Sequence, residues 1–266
     1  MRPVPSALRR SVFHWAVGAL AGLALAPAAF AQAPAYPSKP ITIVVGYPPG
    51  GSTDLMGRMV GTELSNRLGQ PVVIENIGGA GGAIGAQKVA SAQPDGYTLL
   101  VGASNELAIN KLVTKKVKYD IKDFTAIGLV ASQPLVLVAS PASGVKNAAD
   151  FIQLVSKNPG KYSYGSSGVG TSLHLAGEML KSQGKLFMTH IPYRGVAPLT
   201  NDLVGNNLEF GVFVLSSGLP HIKSGKVIAL GTTEAKRSPI TPDIPALAES
   251  PQFKNVDIGV WFALMA

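Results

Sequence analysis

Ile41-Thr42-Ile43-Val44-Val45-Gly46-Tyr47-Pro48-Pro49-Gly50-Gly51-Ser52-Thr53-Asp54 is the stretch that decides the fold class. Its first part is a short β-branched run, apolar at nearly every position, as a central parallel strand covered on both faces requires. Tyr47 to Gly51 stops the strand. Gly50 and Gly51 free φ and leave their N–H groups bare, and Ser52, Thr53 or Asp54 can cap a helix. Apolar residues then recur at helical spacing from Leu55 to Leu68. A strand, a glycine turn and a helix start in succession make a site for an anion or polar ligand at the carboxyl edge of a sheet. Taken alone, the stretch reads equally well as a plain turn between strand and helix.

The pattern repeats on either side. Pro71 to Asn76 reads as a second strand running into Gly78-Gly79-Ala80-Gly81-Gly82-Ala83-Ile84-Gly85 and a helix through Val89-Ala90. These glycines lack the ordered G-x-G-x-x-G spacing and the acid of a dinucleotide site. Gln93-Pro94-Asp95-Gly96 is a turn, and Tyr97 to Gly102 a third strand ending in Ala103-Ser104-Asn105-Glu106. Three strands with small or polar carboxyl ends describe a crevice at one edge of an α/β sheet.

Beyond Tyr119 the chain changes character. The apolar run Thr125 to Ala139 contains Pro134, which cannot donate to a sheet ladder, so two extended segments are expected to meet there as the chain crosses to a second lobe. That lobe holds a helix over Ala148 to Lys157, strands at Phe210 to Val214 and Val227 to Gly231, and a helix over Leu199 to Val204. Its most informative segment is Tyr162 to Glu178. There Gly165-Ser166-Ser167-Gly168-Val169-Gly170-Thr171-Ser172 precedes a helix running past His174 to Leu180. Hydroxyls and bare amides at a helix start supply oriented donors for a carboxylate without a full positive charge. Tyr193 and Arg194 come after a strand, where a ring and a two-pronged guanidinium could both meet a small acid, although a solvated surface arginine is the simpler reading. Prolines 239, 242 and 245 make Ser238 to Pro251 a second crossing, and Val256 to Ala266 returns as an apolar tail whose Trp261 reads as core.

Composition excludes several classes. Arg2, Arg9 and Arg10, the apolar run Ala16 to Ala26 and Ala29-Phe30-Ala31 have the form of a secretory signal over residues 1–31. With no cysteine there are no disulfides, no thiolate metal sites and no cysteine nucleophile. The formal charge of +8 falls to +5 when the three arginines of residues 1–31 are removed, and the remaining lysines are scattered rather than interleaved with aromatics. Nucleic acid is therefore not an expected partner. The histidines are isolated in sequence, no G-K-[ST] comes after a glycine loop, and Gly165-Ser166-Ser167-Gly168-Val169 fails the last position of G-x-S-x-G. No metal, no cofactor and no catalytic residue is assigned.

Eight segments, in this order, carry a family resemblance: Tyr36-Pro37-Ser38-Lys39-Pro40-Ile41, Pro49 to Asp54, Gly69 to Asn76, Gly78 to Gly82, Pro94 to Leu100, Tyr164 to Leu175, Pro192-Tyr193-Arg194-Gly195, and Arg237-Ser238 with Asp243-Ile244-Pro245. Through them the chain resembles the extracytoplasmic solute-binding receptors of the tripartite tricarboxylate transporter family, the TctC-like Bug group. The resemblance implies an α/β, two-lobed periplasmic binding protein of type II, a Venus flytrap, with lobe 1 at 32–135 plus 252–266 and lobe 2 at 136–251. It implies a soluble, exported, monomeric receptor that is not an enzyme. Such a receptor captures a small carboxylate-bearing organic acid and presents it to a membrane permease. Ligand contacts carried over are Tyr47, Pro49, Gly50, Gly51, Ser52, Thr53, Gly79, Ala80, Ser104 and Asn105 from one lobe, and Ser166, Gly168, Gly170, Thr171, Ser172, His174 and Tyr193 from the other. Family members continue past the segment equivalent to Gly259-Val260-Trp261 with helices that complete lobe 1, whereas this sequence stops at Ala266. At ~25 cal/mol per Å², roughly 400 Å² of lost burial is about 10 kcal/mol, so marginal stability is expected of the chain as it stands. The alternative readings are a periplasmic hydrolase using the Ser166/Ser167 loop and a truncated, non-functional receptor copy.

Overall fold

In the computed structural model, which describes residues 35–266, the Ile41–Val45 run is strand β1, with every residue but Thr42 fully buried. It lies between β2 (Val72–Asn76) and β3 (Thr98–Ala103), parallel to both. Helix α1 (Ser52–Leu68) comes directly after the glycine turn, and α2 (Ala83–Ala90) after the second glycine-rich turn. Gly57 and Gly61 form a side-chain-free stripe on α1, where an added Cβ would lie 2.7 Å from Val45 and 2.9 Å from Ile74. The helix can therefore lie directly on β1 and β2.

Strand β4 (Ala126–Ala139) runs unbroken for 14 residues through Pro134. From Ala126 to Pro134 it pairs antiparallel with β9 (Gly259–Met265), which is also antiparallel to β3. From Leu135 to Ala139 its partners are β7 (Phe210–Val214) and β8 (Ile228–Thr232). The missing N–H of Pro134 falls where the partners change, so no ladder bond is lost. The expected meeting of two segments at Pro134 is thus a change of neighbours within one strand.

Beyond β4 come α3 (Ala148–Lys157), β5 (Ser163–Ser166), α4 (Ser172–Gly184), β6 (Thr189–Pro192) and α5 (Val196–Val204). Helix α6 (Leu215–Lys223) begins where β7 ends. The strand order is β2-β1-β3-β9-β4-β7-β5-β6, with β8 on β4. Two half-sheets therefore share a single strand. The buried β4 half, β5, β7 and helices α3 to α5 build a core around Phe151, Tyr164, Phe210 and Phe213, and Lys39–Ala266 form one compact unit. The other end of β4 is bare, with Ile127 and Leu129 exposed. The return crossing is pinned at Thr233, whose N–H donates to Leu135 O at 2.9 Å and whose C=O accepts from Ile258 N. Among the described residues no helix is long and apolar enough to cross a membrane, and residues 1–31 lie outside them.

Candidate functional site

The turn after β1 is held by a buried carboxylate. Asp54 Oδ2 accepts from Gly50 N at 2.9 Å and from Arg58 Nε at 3.0 Å, while Asn76 Nδ2 donates to Oδ1 at 2.9 Å. Burial opposes its ionisation, and the bonds from Arg58, Gly50 and Asn76 outweigh burial, leaving the carboxyl below its ordinary value. The residue before α1 is Gly51, and no side chain caps the helix, so Asp54 anchors the loop rather than capping. Gly51, Ser52 and Thr53 instead line an inner cavity of about 20 Å³, room for about one water. Its walls also include Tyr47 and Asn105 and, from beyond β4, Ser167, Leu173 and Val196. No charged side chain lines it.

Behind that cavity lies a polar chain. Tyr47 Oη accepts from Asn105 Nδ2 at 2.8 Å and has Glu106 Oε2 at 2.9 Å and Gly81 O at 3.0 Å as partners for its single proton. Asn105 Oδ1 accepts from Ser172 N at 2.7 Å, joining the start of α4 to the β3 loop. Glu106 is 1% exposed, and its other oxygen accepts from Ala103 N at 2.8 Å. No cation reaches it among the described residues. Burial therefore pushes it up to about 7, against the pull of the Ala103 amide and the Tyr47 hydroxyl. In its neutral form Glu106 donates to Tyr47 Oη, which releases the tyrosine proton for Gly81 O. Tyr47 is raised well above its ordinary value, by burial first and by Glu106 second.

On the opposite side, Gly168 and Gly170 take positive φ, of 140° and 79°, and fold the serine loop over the start of α4. Thr171 caps that helix by accepting from His174 N, and its own hydroxyl donates to Gly168 O at 2.8 Å. His174 Nδ1 accepts from Gly170 N at 3.1 Å, which puts the proton of the neutral ring on Nε2. The ring stacks on His190 with centroids 4.1 Å apart, and His190 Nε2 lies 2.7 Å from Ser166 Oγ. Burial, and after it the neighbouring His174, lowers His190 to about 4, and burial lowers His174 as well. Ser166 is fully buried and also bonds Gly168, so the pair braces the loop from behind and presents no nucleophile to the cavity.

A wider outer cavity of about 220 Å³ shares Tyr47 and Ser167 with the inner one. Gly79, Ala80, Gly168 and the Tyr193 ring line it, while the Tyr193 hydroxyl is committed to Asp202 Oδ2 at 2.6 Å. Burial, then Asp202, pushes that phenol up to about 12.

The structure thus brings Tyr47, Gly51, Ser52, Thr53, Gly79, Ala80, Asn105, Gly168 and Tyr193 to these two spaces, whose linings share Tyr47 and Ser167. Pro49 and Gly50 lie on the exposed loop beside them. Ser166, Gly170, Thr171, Ser172 and His174 shape or brace the loop without lining either cavity. Ser104 and Ser172 each bury a hydroxyl that has no hydrogen-bond partner among the described residues. Sequence reasoning missed Glu106, which lies beside Ser104 and Asn105, and His190, whose bond to Ser166 and stacking on His174 exist only in the fold. It also missed the apolar walls Leu173, Val196, Val214, Val260 and Phe262, which looked like ordinary core. No group of three or more His, Asp or Glu is placed to hold a metal among the described residues. Chemically, the arrangement offers neutral donors at the inner end and a more open volume outside.

The family model described as "Tripartite tricarboxylate transporter family receptor" matches residues 56–266. BugT of Bordetella pertussis is 34% identical over 255 residues, covering 93% of this chain and 77% of that protein. Among solved structures, an R. palustris protein with adipate is 32% identical with a TM-score of 0.84, covering 87% of this chain and 77% of its own. MatC from Rhodopseudomonas palustris, with bound malate, is 30% identical with a TM-score of 0.81, covering 87% and 79%. The fold is accordingly that of a two-lobed periplasmic binding protein, and this chain belongs to the tripartite tricarboxylate transporter receptor family, in its Bug group.

Proposed function

We propose that this chain is a periplasmic receptor that closes its lobes over one small organic carboxylate and presents it, as a monomer, to a membrane permease. One observation carries the reading. The inner cavity is walled by the uncapped start of α1 and Asn105 on one side and by Ser167, Leu173 and Val196 on the other, with no charged side chain. Such a site grips a carboxylate through amides, hydroxyls and the helix dipole, and only when both sides are present. Malate in MatC and adipate in the R. palustris protein make dicarboxylates the first ligands to try. We assign the lobes by strand partners, with the crossings at Gln133 to Leu135 and at Ile258–Gly259. Residues 1–31 act as the export signal.

Isothermal titration calorimetry against dicarboxylates, tricarboxylates, acidic amino acids and aromatic acids tests the function. Binding of at least one class is expected, together with a raised thermal transition. A folded sample that gives neither heat nor a shift with any of them would refute the reading. A reporter fused after residue 31 and found in the cytoplasm would refute the location alone.

A further inference from the structure

We propose that Arg194 is the specificity residue of this site, holding a second anionic group at the outer end and so selecting doubly charged acids over singly charged ones. The inference rests on the carboxylate-receptor reading above and names the ligand class within it. The two cavities are unlike. The inner one, about 20 Å³, is lined by backbone, hydroxyl and apolar groups, while the outer one, about 220 Å³, has a single charged side chain in its wall, Arg194. That guanidinium makes no hydrogen bond or ion pair among the described residues. Asp202, the acid eight residues on, accepts from the Tyr193 hydroxyl at 2.6 Å and forms no ion pair with Arg194. Arg194 is exposed, and helix α5 begins just past it with no side-chain cap and no acid in its first turn, so the helix dipole adds to its positive charge.

Tyr47 and Ser167 border both cavities, so one ligand can run from the inner donors past the tyrosine into the outer volume. A carboxylate at the inner end uses the start of α1. A second carboxylate in the outer volume meets the two-pronged donor of Arg194 in matching geometry, whereas an ester or methyl group there gains no such pair. Backbone donors treat all carboxylates alike, so discrimination between ligands falls to this side chain.

The test compares adipate with its monomethyl ester, which keeps the length and removes one charge, by calorimetry on the full chain at low salt. The unaltered chain is expected to prefer adipate by about fivefold or more, a preference that shrinks as salt is raised. Arg194→Gln collapses the ratio toward one and Arg194→Lys keeps part of it, while the remote exposed substitution Lys146→Gln leaves it as it was. Near-UV circular dichroism of the ligand-free variants checks that the fold is intact. An unchanged ratio in Arg194→Gln, or equal loss for both compounds, overturns the assignment. If the unaltered chain binds both compounds without preference, Arg194 loses its role and the carboxylate receptor stands. If neither compound nor any acid of the wider panel binds, both readings fall.

Discussion

Glu106 shows what one buried group does to its surroundings. Its carboxyl has no cation to pair with, so it is stabilised by shedding charge, and the Tyr47 and Asn105 bonds that line the site depend on it. Glu106→Gln, which keeps a neutral donor and acceptor, is expected to change stability at pH 7 by under about 1 kcal/mol. Glu106→Ala, which strands Ala103 N and leaves a void beside Tyr47 Oη, should cost roughly 2–3 kcal/mol in urea unfolding. The pH dependence has two opposing parts. Glu106 ionises near 7 when folded against 4.5 ordinarily, so its contribution is full below 4.5 and is lost as pH rises through about 7. His190, at about 4 when folded against 6.5, contributes fully above 6.5 and loses that contribution as pH falls through about 4. Stability measured by urea midpoints from pH 4 to 8 should therefore form a dome. In His190→Phe the acid limb should flatten while the alkaline limb remains.

Among the secondary-structure elements, the starts of α2 and α4 are the most demanding. The second glycine turn brings backbone against backbone, since a Cβ on Gly85 would lie 2.8 Å from Gly46 Cα and one on Gly82 would lie 2.7 Å from Glu106 Oε2. Gly82 also takes a φ of 89°. Gly85→Ala should accordingly cost about 1–3 kcal/mol and weaken ligand binding with it, because the strain falls on the Tyr47 turn. Thr171→Ala removes the cap of α4 and should cost about 1 kcal/mol, with hydrogen exchange rising first at its opening turn.

For the whole molecule, one strand and one return crossing join the two half-sheets. The Asn105–Ser172 bond is one of the contacts between the two half-sheets' loops, and under the proposed receptor reading it favours closure. Asn105→Ala should give a larger radius of gyration in small-angle scattering without ligand, and affinity weaker by roughly fivefold, as the loss of a bond worth about 1 kcal/mol implies. A saturating carboxylate at about 100 times its Kd should raise folding stability by ~2.7 kcal/mol in the unaltered chain.

The sequence by itself determined the strand–glycine–helix units, because β-branched runs, bare glycines and helical spacing are local signals. It also pointed to the two loops that face each other, since serine, threonine and glycine before an apolar helix have few other uses. It could not show α6, whose Leu-Ser-Ser-Gly-Leu-Pro opening reads as a turn and is helical in the fold, with Gly218 packed against Phe213. Nor could it show that the tail Gly259–Met265 threads between β3 and β4, because strand order depends on which apolar faces meet. The bracing of Ser166 by His190, the charge loss of Glu106 and the isolation of Arg194 were decided by tertiary structure alone. Each depends on what is near in space and on how much water is excluded, and neither quantity is written along a chain.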